Sequence, residues 1–153
     1  MIRSVLNGVP MVVRNPRAVR PWQHVLDSLH GYLKLAEHLW EHGDEYAEGW
    51  NFGPGEDSLV TVEELIRIAS EAWGSPIEIK LENEDQLHEA SYLMLDSTKA
   101  KSALNWSIDL PVRDAIEWTM NWYKSFAEKE EMKQVTLDQI RRFNELRGLN
   151  NGN

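Results

Sequence analysis

At 153 residues, with 42% apolar and 27% charged side chains, the chain has the make-up of one globular domain or of a piece of a larger one. Its net charge of −9 argues against general binding to nucleic acid or to an anionic membrane, and the absence of cysteine excludes disulfides and thiolate chemistry, as fits a reducing cytoplasm. No apolar run approaches the roughly 20 residues of a membrane helix, and the opening residues lack a signal-peptide layout. The charge is unevenly placed. The first 26 residues hold four arginines (Arg3, Arg14, Arg17 and Arg20) and no acid, so they carry +4 while the remainder carries −13.

Residues 1–7 read as the end of a helix stopped by Gly8. Met11–Arg14 is expected as a short strand, Asn15-Pro16-Arg17 as a turn, and Val19–Val25 as a second strand pairing with the first in a hairpin. Asp27 is suited to cap the next helix, in which Leu29, Tyr32, Leu33, Ala36, Leu39 and Trp40 recur at helical spacing and predict a buried face. Gly43 should end it, and Trp50-Asn51-Phe52 reads as a strand before the Gly53-Pro54-Gly55 break.

Thr61 and Glu64 form a capping box at the head of a helix over 62–73, closed by Gly74. Ile77, Ile79 and Leu81 alternate with charged residues, which predicts a half-buried strand. An acidic loop over 82–89 leads to an extended run at Tyr92–Leu95. Asp96 then caps a short helix through Leu104. Pro111 suits the first turn of another helix, with Val112, Ala115, Ile116, Thr119 and Tyr123 on one face. Residues 127–134 read as a solvated helical segment or linker. Thr136 is placed to cap a last helix, with Leu137, Ile140, Phe143 and Leu146 in line, before a frayed Asn150–Asn153 tail. Short strands interleaved with helices predict an α/β fold, although about four short strands are few for a free-standing parallel sheet. The seven tryptophans read as packing residues.

The arginine strip is the best candidate site. Guanidinium forks bind phosphate oxygens bidentately, and Arg20 lies on an expected strand with Arg14 expected across the hairpin. Two such groups held together repel unless an anion or a carboxylate lies between them, and pairing with downstream carboxylates is the alternative. His38 and His42 have the four-residue spacing of a metal pair, but no third ligand accompanies them. His24 and His88 are each read as structural before catalytic. There is no Gly-x-Gly-x-x-Gly, no Walker sequence, no Gly-x-Ser-x-Gly and no Tyr-x-x-x-Lys.

Several stretches carry a resemblance. They are Arg-Asn-Pro-Arg-Ala-Val-Arg-Pro-Trp-Gln-His-Val-Leu-Asp (14–27), Gly-Tyr-Leu-x-Leu-Ala-Glu (31–37), Trp-Asn-Phe-Gly-Pro (50–54), His-Glu-Ala-x-Tyr-Leu-x-Leu-Asp-x-x-Lys-Ala (88–100) and Trp-Tyr (122–123). In order and spacing they resemble the CDP-glucose 4,6-dehydratases of the extended short-chain dehydrogenase/reductase family. The likeness runs from residue 1 to about 126 and is to the C-terminal, substrate-binding part alone, with the Rossmann half absent.

The resemblance implies residues 1–126 as a nucleotide-sugar-binding region and 127–153 as a helical extension and tail. In that family NAD takes a hydride from sugar C4, water is lost across C5–C6, and the hydride returns to C6. The glycine loop and Tyr-x-x-x-Lys that serve these steps have no counterpart here, so no catalytic residue is assigned. Met11, Val12 and Val13 are implied to lie along the nucleobase and Arg20 to contact the diphosphate. Arg14 is implied on the pyrophosphate or ribose side. His88 stands where relatives place an arginine, which implies a phosphate contact. The expected partners are CDP-glucose or a similar nucleotide sugar and a Rossmann-half partner or second copy, with no metal, nucleic acid or membrane. NAD belongs to the complete enzyme, not to this chain alone, which is expected to be truncated or separately encoded. A non-enzymatic nucleotide-sugar-binding or interaction module is the rival reading. The missing half predicts exposed apolar surface on helix 28–42 and around 50–52.

Overall fold

The two strands of the arginine strip do not pair with each other. In the computed structural model, which describes residues 1–82 and 91–148, β1 (Met11–Val13) runs parallel to β4 (Ile79–Leu81), with Met11 opposite Ile79 and Val13 opposite Leu81. β2 (Val19–Pro21) instead runs antiparallel to β3 (Leu59–Thr61), with Arg20 opposite Val60. The expected hairpin fails for a local reason. The carbonyls of its turn are taken by the helix that follows β3: Val62 N–H donates to Ala18 O at 3.0 Å and Glu63 N–H to Pro16 O at 2.9 Å. A helix's first N–H groups need acceptors from outside the helix, and the turn supplies them.

Around these strands lie α1 (Ile2–Asn7), α2 (Val25–His42), α3 (Val62–Trp73), α4 (Thr98–Leu104), α5 (Val112–Ala127) and α6 (Met132–Leu146). Gly8 and Gly74 end α1 and α3 in the left-handed conformation, at φ 62° and 89°, where a residue with a Cβ would be strained. Thr61 caps α3 as the sequence predicts, its Oγ1 accepting from Glu64 N–H at 3.1 Å. The Glu64 carboxylate turns outward to Arg67. Asp96 accepts from Thr98 N–H at 2.9 Å at the head of α4.

Two caps are misassigned from sequence. His24, not Asp27, is the N-cap of α2, its Nδ1 accepting from Leu26 N–H at 3.3 Å. Asp27 is fully buried in the first turn. Glu131 caps α6, accepting from Lys133 and Gln134 N–H, while Thr136 lies inside the helix. Residues 50–52 form no strand, because no neighbouring strand lies alongside them among the described residues.

The core is built mainly by helices. Leu65, Ile68 and Ala69 of α3 pack on Ile116 and Met120 of α5. Trp118 and Ala115 pack with Leu110 and with Phe143 from α6. Phe52 packs with Ala100, Leu104 and Trp106. Arg67 and Arg113 lace the outer seam between α3 and α5 through Glu64, Glu71 and Glu117, but these groups face solvent, which screens them, so the pairs add little to stability.

Two predicted burials are overturned. The apolar stripe of α2 faces outward, with Leu29, Tyr32 and Leu33 exposed and Trp40 91% exposed; the buried residues of α2 are Asp27, His30 and Gly31. Ile79 and Leu81 of β4 are exposed as well. The helical period holds and no described part of the chain covers that face, which is the exposed apolar surface expected of helix 28–42; around 50–52 that expectation fails, since Phe52 is buried.

Gly31 is where α2 meets the segment after it. A Cβ there would lie 2.7–2.8 Å from carbons of the Phe52 ring. Gly31→Ala should therefore lower the unfolding free energy by about 1–3 kcal/mol in urea titration, the range for overpacking a buried contact. A value within about 0.5 kcal/mol of the parent would show that Phe52 moves aside freely.

Candidate functional site

The failure of the hairpin creates a slot. In the β1–β4 ladder Met11 N–H donates to Glu78 O at 2.8 Å and Glu82 N–H donates to Val13 O at 3.1 Å. Residues 11 and 13 thus spend their backbone groups on β4. By strand alternation Val12 directs its own N–H and C=O to the opposite edge. On that side a cavity of about 430 Å³ opens, with Met11, Val12 and Val13 on one wall and Arg14 and Arg20 also on its lining. Met1 from the N-terminus, Trp22, and Val62 and Leu65 of α3 supply the apolar remainder.

Arg20 is half-buried on β2, and its Nη1 donates to Val19 O at 2.9 Å. Its strand is held from both sides. Val60 stands opposite it in β3, while Val19 bridges Tyr92 on the other edge, with Val19 N–H to Ser91 O at 2.9 Å. Trp22 adds a brace, its Nε1 donating to Val60 O at 3.2 Å. Arg14 ends β1 with a side chain 64% exposed, and its Nε is 3.8 Å from Glu82 Oε2. The two arginines meet at one cavity rather than across a ladder. His88 lies outside the described residues.

The lining suits a ligand with a flat polar-edged group and an anionic tail. A strand edge offers one donor and one acceptor, an apolar wall covers a face, and two guanidiniums on the lining are of the chemistry that takes phosphate-like oxygens. The sequence singled out Met11–Val13, Arg14 and Arg20. It missed Met1, Trp22, Val62 and Leu65, which come from apolar positions that read as core.

A larger cavity, about 560 Å³, lies between the start of α2 and helices α5 and α6, lined by Gln23, His24, Trp122, Tyr123, Gln139 and Ile140 among others. It does not suit an anion. No ionised side chain lines it, and burial pushes the His24 imidazole below its ordinary pKa, so it stays neutral at pH 7. His38 and His42, spaced for a metal, lie in an aromatic stack instead, His38 on Tyr46 at 4.8 Å and Tyr46 beside Trp50 at 5.9 Å. Among the described residues no group of three or more His, Asp or Glu side chains is arranged to hold a metal ion, and no helix is long and apolar enough to cross a membrane.

No family model matches the chain. Among curated proteins it is 36% identical over 132 residues to CDP-glucose 4,6-dehydratase of Salmonella typhimurium, covering 86% of this chain and 37% of that protein. It is 29% identical over 117 residues to UDP-glucose 4-epimerase 3 of Oryza sativa, covering 76% of this chain and 31% of that one. Among solved structures it matches a UDP-glucose-4-epimerase from Stenotrophomonas maltophila with a TM-score of 0.69 at 19% identity, covering 84% of this chain and 39% of that one. A dTDP-glucose 4,6-dehydratase from Bacillus anthracis matches with a TM-score of 0.64 at 18% identity, covering 88% and 40%.

The chain has the fold of the extended short-chain dehydrogenases/reductases, and the solved structures it matches are NAD-dependent epimerase/dehydratase family members. The sequence is similar to CDP-glucose 4,6-dehydratase, and the chain spans less than two-fifths of the length of the relatives it matches.

Trp22→Phe removes the indole brace and leaves the ring packing. It should lower stability by about 1 kcal/mol, the net worth of one hydrogen bond, in urea unfolding followed by circular dichroism. An unchanged midpoint would mean that the bond to Val60 adds nothing to holding the motif.

Proposed function

We propose that this chain is the nucleotide-sugar grip of a CDP-glucose 4,6-dehydratase-like enzyme, which converts CDP-glucose to CDP-4-keto-6-deoxyglucose and water. Arg14 and Arg20 lining one cavity with Met11–Val13 is the observation that carries this reading. The base lies along β1 and bonds the edge of Val12 that faces away from β4. Arg20 takes the diphosphate, Arg14 the pyrophosphate or ribose side, and His88 adds a phosphate contact.

These residues bind and orient a substrate, and none of them moves a hydride. The 153 residues contain neither a glycine-rich dinucleotide loop nor a Tyr-x-x-x-Lys pair. NAD and the redox step therefore fall to a nucleotide-binding half, and the bare stripe of α2 is where that half docks. Leu29, Tyr32, Leu33 and Trp40 supply the apolar contact. The same missing motifs favour a second reading, a binding module with no chemistry of its own.

Calorimetric titration with CDP-glucose tests the grip. Arg20→Ala should weaken binding about 10- to 100-fold, as expected for hydrogen bonds to a charged group, and Arg17→Ala should not. Equal affinity for all three proteins would contradict the assignment. The chain alone with CDP-glucose and NAD should give no 4-keto sugar, and adding a separately produced nucleotide-binding half should restore it. Turnover by the chain alone would overturn the division of labour, and no turnover in the mixture would favour the binding module.

A further inference from the structure

Apart from the arginine slot, five ionisable side chains converge where the end of α6 meets the start of α2. Arg147, the residue after α6, places Nε 3.1 Å from Asp109 Oδ2, with the two side chains only 17% and 23% exposed. Asp109 Oδ2 is also 3.7 Å from His30 Nδ1. The Asp109 backbone N–H donates to Asp27 Oδ1 at 2.8 Å, and the Asp27 carbonyl accepts from Trp106 Nε1 at 3.1 Å. Phe143 of α6 meets the His30 ring edge-on at 6.4 Å, and the Arg147 guanidinium lies 5.8 Å from the Phe143 ring. Nearly two turns earlier, on α6, Arg141 pairs with Asp138 at 2.7 Å, but both those side chains are more than half exposed.

The charges at this junction do not balance without the arginine. The groups that face one another are Asp27, His30 and Lys34 from α2, Asp109 from the loop before α5, and Arg147 from the end of α6. Asp27 is 0% exposed and His30 8%. Asp27 Oδ2, Asp109 Oδ2 and both His30 ring nitrogens have no aligned hydrogen-bond partner among the described residues, so Arg147 holds Asp109 by charge at 3.1 Å and not by a directed hydrogen bond. A buried carboxylate with no cation beside it is costly, and Arg147 is the cation within contact distance of Asp109.

We propose that Arg147 is a latch: its ion pair with Asp109, beside Asp27 and His30, locks the end of α6 onto the start of α2. The latch fixes the helix that supplies Thr136, Gln139 and Ile140 to the 560 Å³ cavity, so releasing it opens that cavity and bares Phe143. It also ties the C-terminal helix to the turn that directly follows the arginine motif.

Protonation distinguishes this latch from simple packing. Burial, and then the charge of Asp109, pushes the Asp27 carboxyl up to about 6. Burial, with Arg147 and Lys34, holds the His30 imidazole down at about 4. A carboxyl raised in the folded state adds stability below its ordinary pKa of 3.8 and loses it as pH rises through 6. A histidine lowered in the folded state adds stability above 6.5 and loses it as pH falls through 4. The two effects oppose each other between about pH 4 and 6, while Asp109, also raised by burial, acts in the same direction as Asp27. Removing the guanidinium raises both carboxyls further. The unlatched junction then weakens as pH rises from 5.5 to 8 and the Asp27 carboxyl ionises.

Hydrogen exchange of residues 132–147, corrected for intrinsic rates, is the test. Arg147→Ala should speed exchange across the last two turns of α6 at least tenfold at pH 7.5, with a smaller gap at pH 5.5. The control Arg141→Ala should stay within about twofold of the parent at both pH values. Exchange in Arg147→Ala within twofold of the parent at pH 7.5 would overturn the latch. A tenfold gap that is the same at both pH values would overturn the charge account and leave only packing.

Discussion

The position of β2 is the constraint on which the rest of the site depends. Three residues, Val19–Pro21, are held between β3 on one edge and the Ser91–Leu93 backbone on the other. So short a strand would not hold alone. It holds because its neighbours serve two structures at once. Thr61 ends β3 and caps α3, and the carbonyls of Pro16 and Ala18 receive the first N–H groups of that helix. Pulling the Asn15–Ala18 turn onto α3 parts β2 from β1. The parting makes a slot rather than a hairpin, and Arg20 lines it.

The fold is closely packed on one side and shows apolar side chains to solvent on the other. Leu65, Met120, Trp106 and Trp118 are as buried as in any domain interior, whereas α2 shows a regular apolar stripe to solvent. A two-stranded parallel pair such as β1–β4 is also unusual with Val12, Ile79 and Leu81 exposed, since parallel strands are ordinarily covered on both faces. Both observations accompany a chain that spans 37% of the Salmonella dehydratase. Under the proposed function they have one cause: these surfaces are shaped for the nucleotide-binding half. The latch at Arg147 belongs to the packed side, where buried carboxylates near the start of α2 meet a cation at the end of α6.

What was legible in the sequence follows the range of the interactions involved. Helices with local signals were read closely: α3 from Thr61 to Gly74, α2 ending at Gly43 and α5 following Pro111. Pairing partners were not, because β1 and β4 are separated by more than 60 residues and Leu59-Val60-Thr61 reads as the approach to a helix rather than as a strand. Asp27 looked like a cap because its residue type favours one. Its buried role depends on Asp109, 82 positions away, and no local pattern encodes that. At the site, the charged residues stood out against an acidic chain. Met1, Trp22 and Leu65 did not, because apolar residues that line a ligand cavity have the same local signature as residues that fill a core.

The central claim is that the slot between β1 and β2, and not the larger cavity between α5 and α6, receives the nucleotide sugar. Titrating isotopically labelled chain with CDP-glucose and following backbone and arginine side-chain resonances tests it most directly. The account predicts saturable shifts at Met11–Val13, Arg14 and Arg20, with Trp122 and Gln139 undisturbed. Shifts centred on Trp122, Gln139 and Ile140, or no saturable shift in the slot, would contradict it.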